Sequence, residues 1–145
     1  DVGSGVGKFC HVGFAVTGAS FHGIEQRADL VDIARALPGG DPGPVFEHGN
    51  MVDLDWSRYR GIYLYNPFFE QTSGPWCQID STIDYSRLTQ EHYITTVLGK
   101  LEAAETGTRV ATYYGFGGAL PANFRKLAYE QYDKGPLEVW VKETG

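Results

Sequence analysis

Residues 1–7 read Asp-Val-Gly-Ser-Gly-Val-Gly, with a glycine at every second position from residue 3 to residue 7. An amphipathic run begins directly afterwards at Lys8 and Phe9. Glycines at this density let the backbone turn sharply and approach a ligand closely. Between the end of a strand and the start of a helix, such a turn directs backbone N–H groups and the positive helix terminus at an anionic group. The stretch therefore predicts a ligand-binding strand–loop–helix. We expect the first strand to be missing or truncated, with an N-terminal part of the full protein absent.

The chain beyond this loop alternates between helical and strand periodicity. The predicted helices cover 8–17, 27–37 and 86–105, and the predicted strands cover 20–25, 45–48, 61–65, 109–114, 127–132 and 137–141. The last helix has its apolar face on Leu88, Tyr93, Val97, Leu98 and Leu101. This order predicts an α/β fold: a doubly wound, mostly parallel sheet with helices on both faces and a C-terminal antiparallel hairpin. A chain of 145 residues fits one domain, residues 1–145.

Composition narrows the function classes. The net charge is −6 and the 12 basic residues are scattered, which argues against a nucleic-acid-binding surface. Two isolated cysteines, Cys10 and Cys77, are typical of reduced thiols in a cytoplasmic protein. The four histidines lack the spacing of metal ligands, so we expect no metal site. The sequence contains no run of 18 apolar residues, so it predicts no membrane-spanning helix.

The most distinctive residues fall at the carboxyl ends of predicted strands, where parallel sheets bind their ligands. The glycine spacing G-x-G-x-G differs from the dinucleotide pattern G-x-G-x-x-G, because Lys8 stands at the third glycine position. Asp1, just before the glycines, suits a ligand that carries a cationic amine or a sulfonium. Glu25 ends the second predicted element and is placed to accept hydrogen bonds from ribose hydroxyls. For the glycine loop, the alternative is a turn needed only for tight packing of the strand and the helix. For Glu25, the alternative is a solvent-facing acid at the start of a helix, where the helix dipole favours it.

These residues carry a family resemblance. Residues 1–7, followed by Gly-Ile-Glu-Gln at 23–26, resemble the first two motifs of class I S-adenosylmethionine-dependent methyltransferases. Gly-Asn-Met at 49–51 stands where that family often has Gly-Asp-Ala near the adenine. The resemblance covers essentially the whole chain. It implies that S-adenosylmethionine is the cofactor and that its binding residues are Asp1, Gly3, Ser4, Gly5, Gly7, Glu25, Gln26, Asn50, Met51 and Asn66. The amide oxygen of Asn50 replaces the usual acid as acceptor for the adenine amine.

The stretch Asn-Pro-Phe-Phe at 66–69 is similar to the Asn-Pro-Pro-Tyr or Asn-Pro-Pro-Phe motif of methyltransferases that act on planar amino groups. The similarity implies a catalytic role for Asn66, which would orient an amine together with the carbonyl of Pro67. Phe69 would stack on the acceptor, with Phe68 also in the substrate site. Phe68 departs from the second proline of the motif. The alternative is that Asn66 and Pro67 only end a strand, with both phenylalanines in the core.

The resemblance implies a bacterial, cytoplasmic methyltransferase that transfers a methyl group to an unidentified acceptor, for instance an amino group of a protein or small molecule. Residues 1–7 with Gly-Ile-Glu at 23–25 are also similar to the histone-lysine methyltransferases that lack a SET domain, so a lysine acceptor stays open. Two other hypotheses remain. One is a non-catalytic regulatory module that binds S-adenosylmethionine. The other is an NAD-dependent oxidoreductase, against which the glycine spacing argues.

Overall fold

The computed structural model describes residues 1–40, 42–78, 80–81, 83 and 85–144. These residues form a mixed α/β structure with three α-helices and six β-strands in two sheets. In chain order the elements are α1 (Lys8–Thr17), β1 (His22–Glu25), α2 (Ala28–Ala36), β2 (Val45–His48), β3 (Gly61–Tyr65), α3 (Arg87–Ala103), β4 (Arg109–Tyr113), β5 (Phe124–Tyr132) and β6 (Gly135–Lys142). Short 3-10 helices cover Trp56–Arg58, Phe69–Gln71 and Pro75–Cys77. The chain divides into two compact units, Asp1–Leu54 and Asp55–Gly145.

The first unit is built on two parallel strands. β1 and β2 pair with His22 opposite Val45 and Glu25 opposite His48. Val2, just before the glycine loop, forms a parallel bridge with Ile24 of β1. β1 therefore has partners on both sides, and its last three residues are buried. This strand carries Glu25 to its carboxyl end in a buried position.

A small apolar core holds the elements of the first unit together. It contains Cys10 of α1, Val31 and Ala34 of α2, and Phe46 of β2, all buried. Helix α1 ends at Gly18, whose left-handed backbone lets its N–H donate to the carbonyl of Phe14 at 2.8 Å. The core thus joins the helix that follows the glycine loop to the second strand of the sheet.

The second unit is built on a four-stranded sheet with the order β3-β4-β6-β5. β3 and β4 are parallel, and β6 pairs antiparallel with both β4 and β5. Alternate residues of β3 and β4 are buried, as expected for strands that pack one face on a core. Tyr65 and Tyr113 lie opposite each other in the last register position of the two strands. The chain therefore leaves β3 and β4 at the same edge of the sheet.

Two elements of the second unit differ from the sequence prediction. β5 begins at Phe124 rather than residue 127, since its pairing with β6 continues past an irregularity between Lys126 and Ala128. The prediction that Leu88 belongs to the apolar face of α3 was wrong: its side chain is 77% exposed. It lies in the first turn of α3, one turn before the buried positions begin at Tyr93.

Within the described residues, none of the helices combines the length and the apolar character that crossing a membrane requires.

Candidate functional site

The glycine loop is fastened to the end of β1 by backbone hydrogen bonds. The N–H groups of Gly3 and Ser4 both donate to the carbonyl of Ile24, at 2.9 and 3.0 Å. The N–H of Gly7 then donates to the carbonyl of Ser4 at 2.9 Å, closing a turn that leads into α1. All three glycines have a positive φ: 71° at Gly3, 54° at Gly5 and 74° at Gly7. No side chain caps the N-terminus of α1. The loop therefore presents backbone at the start of the helix.

Two glycines of this loop face different surroundings. A Cβ at Gly7 would come within 2.4 Å of the Phe46 ring and 3.1 Å of the Ala34 Cβ, so glycine is required there for packing. A Cβ at Gly5 would meet no described atom within 4 Å. Gly7 thus serves the core of the first unit, whereas Gly5 borders open space. Only the second environment is one in which a ligand can approach the backbone.

Glu25 connects the loop to the strand end. Its side chain is 4% exposed, and its Oε2 accepts the N–H of Gly5 at 2.9 Å. Its Oε1 accepts the backbone N–H of Arg27 at 3.1 Å and the Arg27 Nε at 2.9 Å, while the Arg27 Nη2 lies 3.4 Å from Oε2. Burial alone raises the pKa of Glu25. The hydrogen bonds and positive charge of Arg27, with the N–H of Gly5, outweigh burial and hold the pKa below its ordinary value.

Arg27 is a site residue that the sequence reasoning missed. A carboxylate offers about four acceptor positions, and in Glu25 donors from Arg27 and Gly5 take all of them. Hydroxyl groups of a ribose can hydrogen bond to Glu25 only if the Arg27 side chain gives up its bonds. The available signal was a cation two residues after the acid at a strand end.

The other residues predicted to bind the cofactor, Gln26, Asn50 and Met51, lie just past the ends of β1 and β2. The Nδ2 of Asn50 lies 3.5 Å from the Oε1 of Gln26, so these two side chains meet. The Oδ1 of Asn50 accepts the N–H of Val52 at 3.1 Å, which is the bond of a local turn. Met51 is buried. The amide of Asn50 therefore already has one local donor at the oxygen that the sequence reasoning assigned to the adenine amine.

Asp1 and Ser4 flank the same loop. The Oδ2 of Asp1 lies 3.7 Å from the Sγ of Cys10, and the Asp1 carbonyl accepts the N–H of Ile24 at 3.0 Å. The Ser4 side chain occupies the space beside Gly23, where a Cβ would come within 2.6 Å of its Oγ. Gly23 is thus a second glycine that the local packing requires, and it precedes Glu25 by two residues.

The predicted acceptor residues lie in the second unit. Asn66, directly after β3, has a φ of 40°, and its N–H donates to the carbonyl of Gly115 at 3.0 Å. Within the described residues its side-chain amide has no hydrogen-bond partner. Phe68 is buried, with its ring 5.2 Å from that of Tyr93, whereas Phe69 is exposed. Pro67 is partly buried. Asn66 is partly buried and Phe69 is exposed, whereas Phe68 has the surroundings of a core residue.

The site residues therefore form two groups. In the first unit the structure brings together the glycine loop, Glu25, Gln26 and Asn50; the second unit carries residues 66–69. Nowhere in the part of the chain that the structure describes do three or more His, Cys, Asp or Glu side chains assemble as a metal site could require.

Solved structures of methyltransferases are similar to this chain. An RNA methyltransferase from Salinibacter ruber, in complex with S-adenosyl-L-homocysteine, is 22% identical with a TM-score of 0.65, over 100% of this chain and 80% of that one. The antibiotic-resistance methyltransferase Kmr is 15% identical with a TM-score of 0.56, and the match covers 98% of this chain and 85% of that one. A structure described for the conversion of a disulfide bond into a thioacetal group during echinomycin biosynthesis is 13% identical with a TM-score of 0.55, over 99% and 75%.

No family model and no curated protein matches the sequence. Identities this low establish the fold alone. The chain has the fold of class I S-adenosylmethionine-dependent methyltransferases.

Proposed function

We propose that this protein is an S-adenosylmethionine-dependent methyltransferase. The observation that carries the proposal is the bond between the N–H of Gly5 and the buried carboxylate of Glu25. It joins a glycine loop at a helix start to an acid at a strand end, within a fold shared with a methyltransferase that binds S-adenosyl-L-homocysteine. The open space beside Gly5 fits a cofactor that contacts the loop backbone.

In this proposal different residues of the first unit bind different parts of the cofactor. Asp1, Gly3, Ser4, Gly5 and Gly7 hold the methionine part, where backbone N–H groups suit its carboxylate and the acid suits its amine. Glu25 and Gln26 bind the ribose, and Asn50 and Met51 contact the adenine. The cofactor supplies an electrophilic methyl group on a sulfonium. The protein then needs chiefly to align the acceptor in line with that methyl group.

The acceptor side of the proposal rests on residues 66–69. The amide oxygen of Asn66, whose side chain has no hydrogen-bond partner among the residues that the structure describes, and the carbonyl of Pro67 accept hydrogen bonds from an amino group of a protein or small molecule. The exposed Phe69 stacks on that group. Phe68 contributes through packing on Tyr93. The net charge of −6 supports an acceptor that is not a polyanion.

We extend the proposal to the architecture. The similarity to the Salinibacter ruber enzyme covers the whole chain, which supports one methyltransferase domain made of both units. A doubly wound sheet with a C-terminal hairpin, as predicted from the sequence, is the architecture we expect of that domain.

Thermal unfolding with and without ligand tests the proposal. We expect S-adenosylmethionine to raise the midpoint and NAD to leave it unchanged. Glu25→Gln should lose the shift, whereas Asp32→Asn, an exposed acid on α2, should keep it. A shift with NAD alone would favour the oxidoreductase. Binding of S-adenosylmethionine without methylation of any acceptor, and without an effect of Asn66→Ala in the cell, would favour the regulatory module.

A further inference from the structure

One row of side chains crosses the four strands of the second unit and ends in an acid. Tyr65 of β3 lies opposite Tyr113 of β4. Tyr113 lies opposite Leu137 of β6, which in turn lies opposite Glu130 of β5. Residues opposite one another on neighbouring strands share a face of the sheet. Tyr132, two residues after Glu130, is on the same face because side chains alternate along a strand.

Four tyrosine rings meet at this row, and we call Tyr65, Tyr113, Tyr114 and Tyr132 the tyrosine cluster. The Tyr113 ring is central: its centroid lies 4.9 Å from that of Tyr65, 5.7 Å from that of Tyr114 and 6.1 Å from that of Tyr132. The outer three residues are 51%, 46% and 47% exposed, in that order. Exposed faces of tyrosine rings are negative, so they attract a cation.

Glu130 is the glutamate of this hairpin that lacks a cationic partner. Glu138 pairs with Lys126, and Glu143 pairs with Arg125. Among the residues that the structure describes, no cationic side chain forms an ion pair with Glu130. The carboxylate beside the tyrosine cluster therefore keeps an uncompensated negative charge.

The contacts of Glu130 leave one of its oxygens available. Its carboxylate accepts the hydroxyl of Tyr132 through Oε2, and in the described part of the chain no group donates to Oε1. The bond raises the pKa of Tyr132, so the phenol stays neutral. The charge at this end of the cluster is therefore that of the carboxylate.

The basic residues of the sheet do not cancel this charge. Lys126 lies over the ring of Trp140. Trp140 is three residues from Leu137 on β6, which puts it on the opposite face of the sheet. Arg109 shares the face of the cluster but begins β4, at the other end of that strand. The exposed turn at residues 133–134, Asp-Lys, adds one charge of each sign.

We propose that the tyrosine cluster and Glu130 bind an arginine side chain of a partner polypeptide. A guanidinium is flat and weakly hydrated, so it stacks on tyrosine rings, and its N–H groups donate to a carboxylate. A lysine ammonium is more strongly hydrated, and a quaternary ammonium has no N–H group for the Oε1 of Glu130. The proposal goes beyond methyl transfer and does not depend on the cofactor.

The position of the site favours a polypeptide over a free small molecule. β5 is the last strand of the sheet, and an extended peptide can pair with the backbone of such an edge. Its pairing with β6 is regular from Ala128 to Tyr132, the part that carries Glu130. Half-exposed rings fit a protein interface, where tyrosine and arginine are enriched. A free small molecule usually needs a concave site that covers most of its surface.

The test compares two blocked tripeptides, Ala-Arg-Ala and the same peptide with citrulline at its centre, by proton NMR titration with the full chain. Citrulline has the shape of arginine without the charge. We expect saturable upfield shifts of the arginine δ-methylene protons, and binding of the citrulline peptide at least about threefold weaker. Glu130→Gln should weaken the arginine peptide to the level of the citrulline peptide and leave the latter unchanged.

Tyr132→Leu should weaken the arginine peptide about threefold, the effect of losing one cation–π contact at an exposed site. Tyr129→Leu and Glu138→Gln are the matched controls. These two residues lie opposite each other on the same hairpin and belong to the other face of the sheet. Both variants should leave the binding of the arginine peptide unchanged.

Equal affinity for the arginine and citrulline peptides, unaltered binding in Glu130→Gln, or tighter binding of the corresponding lysine peptide would overturn the inference. Methylguanidine is the probe for the head group alone, and we expect it to bind more weakly than the arginine peptide. Equal binding would point to a free guanidino compound and overturn the assignment to a polypeptide. All titrations are made without S-adenosyl-L-homocysteine, so a failure of the proposed function would leave their outcome unaffected.

Discussion

Glu25 is the central residue of the proposed cofactor site, and its hydrogen bonds to Arg27 limit which further donors it can accept. The buried carboxylate is kept ionised by donors from Arg27 and from the glycine loop. Sequence reasoning finds the acid from its place at a strand end. It does not find that the acid's acceptor positions are already filled, because that depends on the side-chain conformation of Arg27.

Arg27→Gln should lower stability and strengthen the response to the cofactor. The variant leaves a buried carboxylate without its charged donor, which costs about 1–3 kcal/mol in the free energy of unfolding. Ribose hydroxyls can then satisfy Glu25 without displacing a guanidinium, so S-adenosyl-L-homocysteine should raise the unfolding midpoint more than in the wild type. Urea unfolding and thermal shift measure the two effects.

The control for this variant is Arg87→Gln. Arg87 pairs with Glu91 one turn along α3, but both side chains are largely exposed. Such a pair contributes about 0.3–0.5 kcal/mol, so its loss should be barely measurable. A similar loss of stability in both variants would show that the Glu25–Arg27 pair has no special role.

The lowered pKa of Glu25 makes stability depend on pH in a defined direction. In the unfolded chain the pKa is near the reference value of 4.5, and in the folded state it is lower. The folded protein therefore binds this proton less readily. The contribution of Glu25 is fully present above pH 4.5 and is lost as the pH falls through the folded-state pKa. Urea unfolding of the wild type should show this loss, and Glu25→Gln should show a smaller one. Equal slopes below pH 4.5 would contradict the assignment.

At the scale of elements, different glycines of the loop are expected to serve packing and ligand binding. Gly7→Ala places a Cβ against the Phe46 ring, at a positive φ, and should cost at least about 2 kcal/mol of stability. Gly5→Ala meets only open space and should cost about 1 kcal/mol through its φ. The effects on binding should follow the opposite order. Measured by calorimetry, Gly5→Ala should lower the affinity for S-adenosyl-L-homocysteine more than Gly7→Ala does. The reverse order would place the ligand elsewhere.

Lys142 stabilises α3 from a neighbouring strand. Its buried Nζ donates to the carbonyls of Leu101 and Glu102, in the last turn of the helix. Carbonyls in the last turn of a helix lack the usual partner four residues on, although the Leu101 carbonyl also accepts the N–H of Ala104 at 3.2 Å, and a cation suits the negative helix end. Lys142→Met keeps the apolar stem and should cost about 1.5–3 kcal/mol in urea unfolding. Lys134→Met, at the exposed hairpin turn, should have no measurable effect.

Most element positions follow from the sequence, because periodicity and glycine punctuation act locally. The helices and the strands lie close to their predicted ranges, and the glycine loop starts α1 as expected. Leu88 fits the helical period but precedes the buried part of α3. The positive φ of Tyr114 has no signal in the sequence, since tyrosine does not favour it and only the bonds of neighbouring strands impose it. Four tyrosines whose rings meet come from three strands and their ends, so no local pattern predicts the contacts among Tyr65, Tyr113, Tyr114 and Tyr132.

At the scale of the whole molecule, the fold is established and the cofactor is the central proposal. A ligand that binds only the native state stabilises it by about 2.7 kcal/mol at a concentration of one hundred times its dissociation constant. Stabilisation by S-adenosylmethionine would therefore report on the intact site, whatever the acceptor. The acidic net charge, −6, bears on the acceptor and not on the fold.

Calorimetric titration of S-adenosyl-L-homocysteine into the wild type, Glu25→Gln and Asp32→Asn tests the central claim most directly. The account predicts binding at one site in the wild type and in Asp32→Asn. In Glu25→Gln, which loses the negative charge and replaces one of the two acceptor oxygens with a donor, it predicts binding at least tenfold weaker. No binding to the wild type, or equal affinity in all three proteins, would contradict the claim that the glycine loop and Glu25 hold the cofactor.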